Sequence, residues 1–596
     1  MTYRSPVADI LYSLHHVAGF HEAISEGLFG EFDADTAASV IGEAGRFATD
    51  VIAPLNRIGD LNGARYENGH VATPSGFREA YRAWAAGGWA GVTGSPEYGG
   101  MGLPHTINAA CAEIWNGASM GFALCPLLSE GAIGALNAYA SEDLRRIYLG
   151  KLISGEWTGT MNLTEPQAGS DLNAVKTRAE RVADGTYRVF GQKIFITYGE
   201  HDMADNIVHL VLARLPGAPA GTRGLSLFLV PKFLVKPDGT LGARNDVRCA
   251  SIEHKLGIHA SPTCVMIYGD DKGAIGWLVG EENRGLAAMF VMMNSARLAV
   301  GMQGVGVADR ALQQALAYAR DRRQGRGPNG DAEMSAIVEH ADVQRMLLTM
   351  KALVHAARGI CHLTAVAIDR SLHGEAGEAR RQAGERAALL TPVAKAFSSD
   401  VGDEVASLGV QVHGGMGYIE ETGAAQHLRD ARIAAIYEGA NGVQAIDLVQ
   451  RKLPLSGGAT VAREIAGMRA IAAEVAAKGD ADFGATAARL GEAIDALERA
   501  TQFLSAALGA DMQDALAGAT PYLKLFGLAL GGACLAKAAL AAQNLGAAGD
   551  ASQLGRVALA RFFAEKIAIG AGGLENSIRS GAGALQQFEA ALAEAT

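Results

Sequence analysis

The chain has 596 residues, 49% apolar and 19% charged, with a formal charge of −11. That length exceeds one hydrophobic core and predicts several domains at roughly 150 residues each; the composition is globular rather than disordered. The negative balance leaves no basic field for a nucleic-acid backbone. Six cysteines (Cys111, Cys125, Cys249, Cys264, Cys361, Cys534) without a C-x-x-C pair argue against a disulfide framework and a metal site, and fit a reducing cytoplasm. The first residues, through Pro6, lack a basic stretch followed by an apolar core, so no signal peptide is expected.

In chain order, residues 1–157 carry helical signals, and abundant alanine beside 75 glycines favours closely packed helices. Residues 158–276 change period and predict a β-domain. Asp184-Gly185 separates an alternating pair, Val175–Ala179 and Tyr187–Phe190, as a hairpin turn would. Val208, Leu210 and Leu212 alternate, Leu225–Val230 reads as a buried strand stopped by Pro231, and Val265–Tyr268 follows.

Residues 277–455 return to helical spacing, with Val343, Met346, Met350 and Leu353 on one face and Val393, Phe397, Val401 and Val405 on another. Thr391-Pro392 is the expected N-cap and first residue of the second of these helices. Pro454–Gly458 reads as a linker to a further helical domain, 456–596, in which Leu490, Ile494, Leu497 and Leu504 mark an amphipathic helix. The apolar stretch between Lys524 and Lys537, at about twelve residues against the roughly 20 that span a bilayer, predicts a core helix rather than a membrane segment.

Five short segments carry chemistry: Thr164–Asp171, Phe195-Ile196-Thr197, Arg320–Gln324, Gln411–Gly417, and Ile436–Gly442 with Glu438 at its centre. Each has an ordinary reading alone: a surface turn, a core aromatic, a solvated helix end, a glycine-rich helix terminus and a surface carboxylate. In this order, over about residues 35 to 452, they resemble the acyl-CoA dehydrogenase family of flavoenzymes. The length and Tyr198–Asp202 are similar to the longer bacterial subgroup that includes 3-methylthiopropionyl-CoA dehydrogenases.

The resemblance implies a mainly α protein with a central β-domain: an N-terminal helical domain, a middle β-barrel-like domain, a C-terminal four-helix bundle and an extra C-terminal helical domain. It implies FAD as cofactor and an acyl-CoA thioester oxidised to the trans-2-enoyl-CoA. Glu438 matches the catalytic base, and its backbone N–H with a flavin ribityl hydroxyl would hold the thioester oxygen. Thr164 and Thr197 match flavin hydrogen-bonding positions, and Phe195, where many relatives have tryptophan, matches the ring that packs on the flavin. Arg322, with Gln324 beside it, matches a contact to the dinucleotide of a neighbouring subunit, and Gln411, Gly414 and Gly415 match the segment whose backbone approaches the same pyrophosphate, whereas Gly325 replaces an aromatic. Ser170, Arg297 and Gly439 fall on the substrate side, Arg297 having a helix-packing role as its alternative. Ala440 and Gly442 depart from a threonine and a glutamine, and no cofactor contact is carried over from them. His413 is expected to order its loop.

An electron-transfer flavoprotein is the implied electron acceptor, and a homodimer the implied assembly, because the extra helices would cover the surface shorter relatives use for tetramers. Two other readings stand beside this one: an acyl-CoA oxidase that reduces oxygen to hydrogen peroxide, and a flavin-free scaffold of the same fold. Gly117–Gly121 spells the serine-hydrolase G-x-S-x-G, but the residues before it look helical rather than like the required strand. Asn162-Leu163-Thr164 spells a glycosylation acceptor, irrelevant without secretion, and no G-x-G-x-x-G supports a Rossmann unit.

Overall fold

The computed structural model describes residues 3–328, 334–545 and 551–593 and divides into two compact units. One, called the sheet unit, holds residues 43–299 with the few before Pro6; the other, the helical unit, holds residues 6–42 and everything from Val300 onward. The helical unit begins with Val7–His16 (α1) and Phe20–Ser25 (α2).

In the sheet unit, His105–Tyr139 (α3) and Glu142–Ile153 (α4) precede the strands. Ser141 caps α4 by accepting the Leu144 N–H, and Glu142 and Asp143 lie in its first turn, where the helix dipole favours negative charge. Gly117–Gly121 sits at a kink in α3, where Ser119 leaves helical geometry (φ −162°, ψ 105°) but is buried, so the hydrolase string follows a helix rather than a strand and has no exposed nucleophile.

The strands of the main sheet are Trp157–Asn162 (β1), Arg178–Arg181 (β2), Tyr187–Thr197 (β3), Asn206–Arg214 (β4), Leu225–Pro231 (β5), Val247–Ile252 (β6), Thr263–Tyr268 (β7) and Ala274–Val279 (β8). They form one eight-stranded sheet in the order β6-β7-β3-β8-β5-β4-β1. β2 pairs with β3 along four residues and touches β4 at Arg178↔Arg214, closing β3-β8-β5-β4-β2 into a ring. The β2–β3 hairpin follows the Asp184-Gly185 signal, with Gly185 at φ +84°.

β4 is buried on both faces, and its alternation sorts residues between two cores rather than between core and water. Val208, Leu210 and Leu212 join Leu136 and Leu149 of the flanking helices, while Val211 and Ala213 join Val189, Phe228 and Cys264. Asn162 is buried and bonded to Tyr268, which removes it as a glycosylation acceptor.

Gly285–Asp321 (α5) belongs to the sheet unit up to Ala299 and to the helical unit from Val300. The helical unit continues with Ala341–His373 (α6), Glu378–His413 (α7), Asn441–Asp447 (α8), Ala459–Lys478 (α9), Thr486–Ala510 (α10), Ala519–Asn544 (α11) and Ala551–Lys566 (α12). The expected start at Thr391-Pro392 is corrected: α7 begins at Glu378, Pro392 lies within it, and the Thr391 hydroxyl donates to the Ala387 carbonyl at 2.7 Å. Burial of Ala387, Leu389 and Leu390 ahead of the proline carries the helix through the lost backbone bond. Pro454–Gly458 is a tight turn, with Ser456, Gly457 and Gly458 all at positive φ and the Ser456 hydroxyl bonded to Glu385.

By length and composition alone, α3, α5 and α11 are long and apolar enough to cross a membrane, which corrects the shorter expectation for Lys524–Lys537. The helix continues past both lysines. Within the protein, 78% of the apolar window of α3, 56% of that of α5 and 89% of that of α11 is buried. Glycine makes the α11 packing possible: a Cβ on Gly527 would lie 2.1 Å from the Phe397 ring of α7.

Candidate active site

In the sheet unit the first motif is built around a buried ion pair. Glu165 is 3% exposed and Lys193 fully buried; Nζ of Lys193 donates to the Glu165 carboxylate at 2.8 Å and to the Leu163 carbonyl at 2.9 Å. The same carboxylate accepts the backbone N–H groups of Lys176 at 2.8 Å and Thr177 at 3.0 Å, and Gln167 Nε2 at 2.6 Å. Burial raises the Glu165 carboxyl, but Lys193 and these donors outweigh it and hold it at about 2; burial draws Lys193 down to about 8 against the pull of Glu165. Both are therefore charged at neutral pH.

This pair ties the Thr164–Asp171 turn to β3. The Thr164 carbonyl accepts the Ile194 N–H at 3.0 Å, and Glu165 and Ala168 close the turn by exchanging two backbone bonds. Thr164 is half-buried and Ser170 exposed, and neither hydroxyl has a partner among the described residues.

β3 then bulges. Across from it Cys264 faces Ile196 and Met266 faces Lys193, so Ile194 and Phe195 together oppose Val265 alone. Phe195 takes φ +60° and its side chain turns outward, leaving the residue 58% exposed. That excludes the core-aromatic reading, because a strand phenylalanine packed inward would be buried. Thr197 is half-buried, its hydroxyl also without a partner among the described residues. Tyr198, at φ +51°, fixes the strand end by donating its hydroxyl to the Gly121 carbonyl at 2.7 Å. Arg297 is in the same unit, buried on α5, and donates to Asn294 Oδ1 at 3.3 Å.

In the helical unit Glu438 is half-buried at φ +54°, a left-handed conformation that costs a residue with a Cβ on the order of 1–3 kcal/mol and needs support. Three neighbours supply it. The Tyr437 hydroxyl donates to Gln303 Oε1 at 2.5 Å, and burial, with the Glu438 charge adding to it, pushes that phenol well above its usual range. Gly439 follows at φ +90°, and a Cβ there would meet Gln444 Nε2 at 2.4 Å. Asn441 opens α8 and locks it to α7: its Oδ1 accepts Lys395 Nζ at 2.8 Å, and its Nδ2 donates to Asp400 at 2.7 Å and to the Ala396 carbonyl at 3.2 Å.

The remaining motif residues gather where α5 and α7 end. The His413 ring stacks on Tyr318 at 4.4 Å between centroids and hydrogen-bonds the Gly409 carbonyl through Nδ1, so it orders the loop. Arg322 follows Tyr318 by one turn, is exposed and donates to Gln324 Oε1 at 3.4 Å; the Gln324 N–H is held by the Ser335 carbonyl. Gln411 is exposed, and its carbonyl accepts the Gly414 N–H. Gly414 has φ +59° and ψ −143°, open only to glycine. Gly415 has no such backbone need, and a Cβ on either glycine would meet no atom of this chain within 4 Å.

Sequence reasoning named Thr164, Phe195, Thr197 and Glu438 and passed over the residues that hold them: Lys193, Gln303, Tyr437, Lys395 and Asn441. Glu165, Tyr437 and Asn441 stood inside quoted motifs, and their position near Thr164 and Glu438 was the available signal.

The chain matches four family models: "Acyl-CoA dehydrogenase, N-terminal domain" at residues 36–156, the middle domain at 160–270, the C-terminal domain at 283–453, and "Acetyl-CoA dehydrogenase C-terminal like" at 464–589. It is 49% identical over 96% of both chains to the 3-methylmercaptopropionyl-CoA dehydrogenase of Ruegeria pomeroyi. Among solved structures it is similar to Caenorhabditis elegans ACDH-11 in complex with C11-CoA, with a TM-score of 0.78 and 20% identity over 95% of this chain and 92% of that one. It is also similar to a Bacillus anthracis acyl-CoA dehydrogenase complexed with FAD, with a TM-score of 0.72 and 22% identity at the same coverage. These two likenesses concern the fold.

Proposed function

The chain belongs to the acyl-CoA dehydrogenase family, and from that premise we propose that it is an FAD-dependent oxidoreductase converting an acyl-CoA thioester to its trans-2-enoyl-CoA, with Glu438 as the base. The observation that carries this reading is Glu438 itself, a half-buried carboxylate on a left-handed backbone braced by the Tyr437–Gln303 bond and by Asn441, within the stretch that matches the family's C-terminal domain.

The residues suit the cofactor. Phe195 offers an outward ring face for a flat heterocycle, and the hydroxyls of Thr164 and Thr197, unpartnered among the described residues, offer hydrogen bonds to its polar edge. Gly414 and Gly415 leave backbone open to a bulky anion, with Gln411 exposed just before them, and Arg322, bonded to Gln324, offers an exposed guanidinium to the pyrophosphate of a neighbouring subunit's FAD. When bound, FAD accepts the hydride that leaves the substrate's β-carbon.

The α-proton of a thioester is too weakly acidic for an unaided carboxylate, so the charge developing on the thioester oxygen must be stabilised as the proton leaves. Glu438 accepts that proton on its side chain. Its own backbone N–H donates to the oxygen, and Gly439 keeps the adjacent backbone free of a Cβ. Loss of the α-proton to Glu438 and of the β-hydride leaves the α,β double bond. Ser170, exposed at the turn, contacts the CoA part, and Arg297 acts on the substrate side.

The near-full-length relative supports a short thioether acyl-CoA, 3-methylmercaptopropionyl-CoA, as substrate. An electron-transfer flavoprotein receives the electrons, the enzyme is a homodimer, and it works in the cytoplasm, a reading that six buried free cysteines support. Family membership does not favour the oxidase or the flavin-free scaffold. Anaerobic titration of the yellow holoenzyme with a panel of acyl-CoAs is the test. Bleaching, fastest with the thioether substrate, supports the proposal; a colourless protein, or peroxide formed stoichiometrically in air, counts against it.

A further inference from the structure

A cavity of about 550 Å³ lies within the helical unit, lined by none of the residues assigned above to cofactor or substrate. Its walls come from α6, α7, α9 and α11 and from the α1–α2 junction, so segments on both sides of residues 35–452, the stretch that carries the family motifs, contribute. The floor is apolar: Val366, Met468, Leu530, Ala533 and Cys534 are all buried. Burial pushes the Cys534 thiol up to about 12, so it stays protonated and behaves as part of that floor.

Over this floor stand four cations and two carboxylates. Three cations are already matched: Arg386 grips Glu464 through two bonds at 2.8 and 2.9 Å, Arg370 pairs with Glu26 at 2.6 Å, and Arg463 reaches Glu385 at 3.4 Å. Lys537 is different. Its Nζ donates to the Val17 carbonyl at 3.1 Å, and it has no carboxylate partner among the described residues. The Nη1 group of Arg386 is likewise without a partner among them, and Glu22, the second lining carboxylate, is exposed to solvent.

We propose that this cavity is a second small-molecule site, for a monocarboxylate with an apolar tail of the medium-chain fatty-acid class, its head on Lys537 and Arg386 and its tail on the floor. A carboxylate completes the charge on Lys537 through charge-assisted bonds, while the tail removes apolar wall from water. The volume lies in the range that holds ligands of this size. The mostly apolar lining, with three of its four cations already matched, disfavours a polyanion such as a nucleotide.

The test is calorimetric titration of the holoenzyme with octanoate, beside octanol as a tail without the charge. Lys537→Gln keeps a donor for the Val17 carbonyl and removes the charge. Gly467→Phe narrows the mouth from α9 without threatening the fold, because a Cβ there meets nothing within 4 Å. The expected result is one octanoate site at least tenfold tighter than octanol, weakened at least tenfold in each variant. Equal binding of octanol, or unchanged octanoate affinity in both variants, overturns the proposal; octanoate held in the catalytic site would give the second pattern. The readout is binding, so failure of the acyl-CoA dehydrogenase reading leaves it unaffected.

Discussion

Phe195 and Glu438 lie in different units and share one backbone problem: each carries a side chain on a left-handed residue, and each is held there by different chemistry. At Phe195 the support is a β-bulge backed by the buried, charged Glu165–Lys193 pair. At Glu438 it is a mesh centred on Asn441 and the Tyr437–Gln303 bond, closed by a glycine. The difference teaches that a buried charge makes an all-or-none clamp, whereas a mesh of several shared bonds loses strength bond by bond.

The largest effect expected of a single substitution tests the charged clamp. Lys193→Met leaves Glu165 buried without its counter-ion and should cost about 3–5 kcal/mol in urea unfolding, with FAD released as the Thr164 turn loosens. The double variant with Glu165→Gln should recover part of that stability. A single variant as stable as the parent would show that the pair holds nothing.

Acid should weaken the sheet unit next. Burial, with Lys232 adding to it, lowers His201 and His209 to about 3 from an ordinary 6.5. His201 Nδ1 accepts the Met203 N–H at 3.1 Å, a bond that protonation removes. The unfolded chain binds these protons first, so the contribution is fully present above pH 6.5 and is lost as pH falls from there toward 3, at about 1.4 kcal/mol per unit for each ring. Thermal melts across that window should show it, and His201→Gln should flatten the slope; a melting temperature constant from pH 7 to 5 would contradict this.

Asn441→Ala should be milder, costing about 1–3 kcal/mol because Lys395 and Asp400 lose a shared partner. Its sharper signature is kinetic: kcat falls more than KM rises, since the substitution displaces Glu438 rather than a binding surface. Equal changes in both would place Asn441 outside the positioning of the base. The smallest effect has the opposite sign. Phe195→Gly relieves the left-handed strain and should stabilise the apoprotein by about 1 kcal/mol while weakening FAD, a trade that paired melts with and without FAD would reveal.

Much of this was legible in the sequence because the signals were local. Asp184-Gly185 gave the hairpin, and alternation at Val208, Leu210 and Leu212 gave β4, though only packing revealed that both faces are covered. Thr391-Pro392 misled because an N-cap signature is also what a proline inside a buried helix looks like when upstream packing compensates for it. Glu438 and Phe195 could be named from motif order, but their positive φ could not, since nothing in a Tyr-Glu-Gly string demands it. The clamps were hidden for another reason: Glu165 and Lys193 are 28 residues apart, and Tyr437 and Gln303 are 134 apart, separations that only the fold closes.

The most direct measurement is anaerobic flavin bleaching of Glu438→Gln beside the parent enzyme, under saturating acyl-CoA. The variant should retain FAD and the parent's melting temperature while bleaching slows by about 10³-fold or more, the scale of a lost general base. Bleaching at the parent rate would contradict the assignment of Glu438 and, with it, the reading of the whole site.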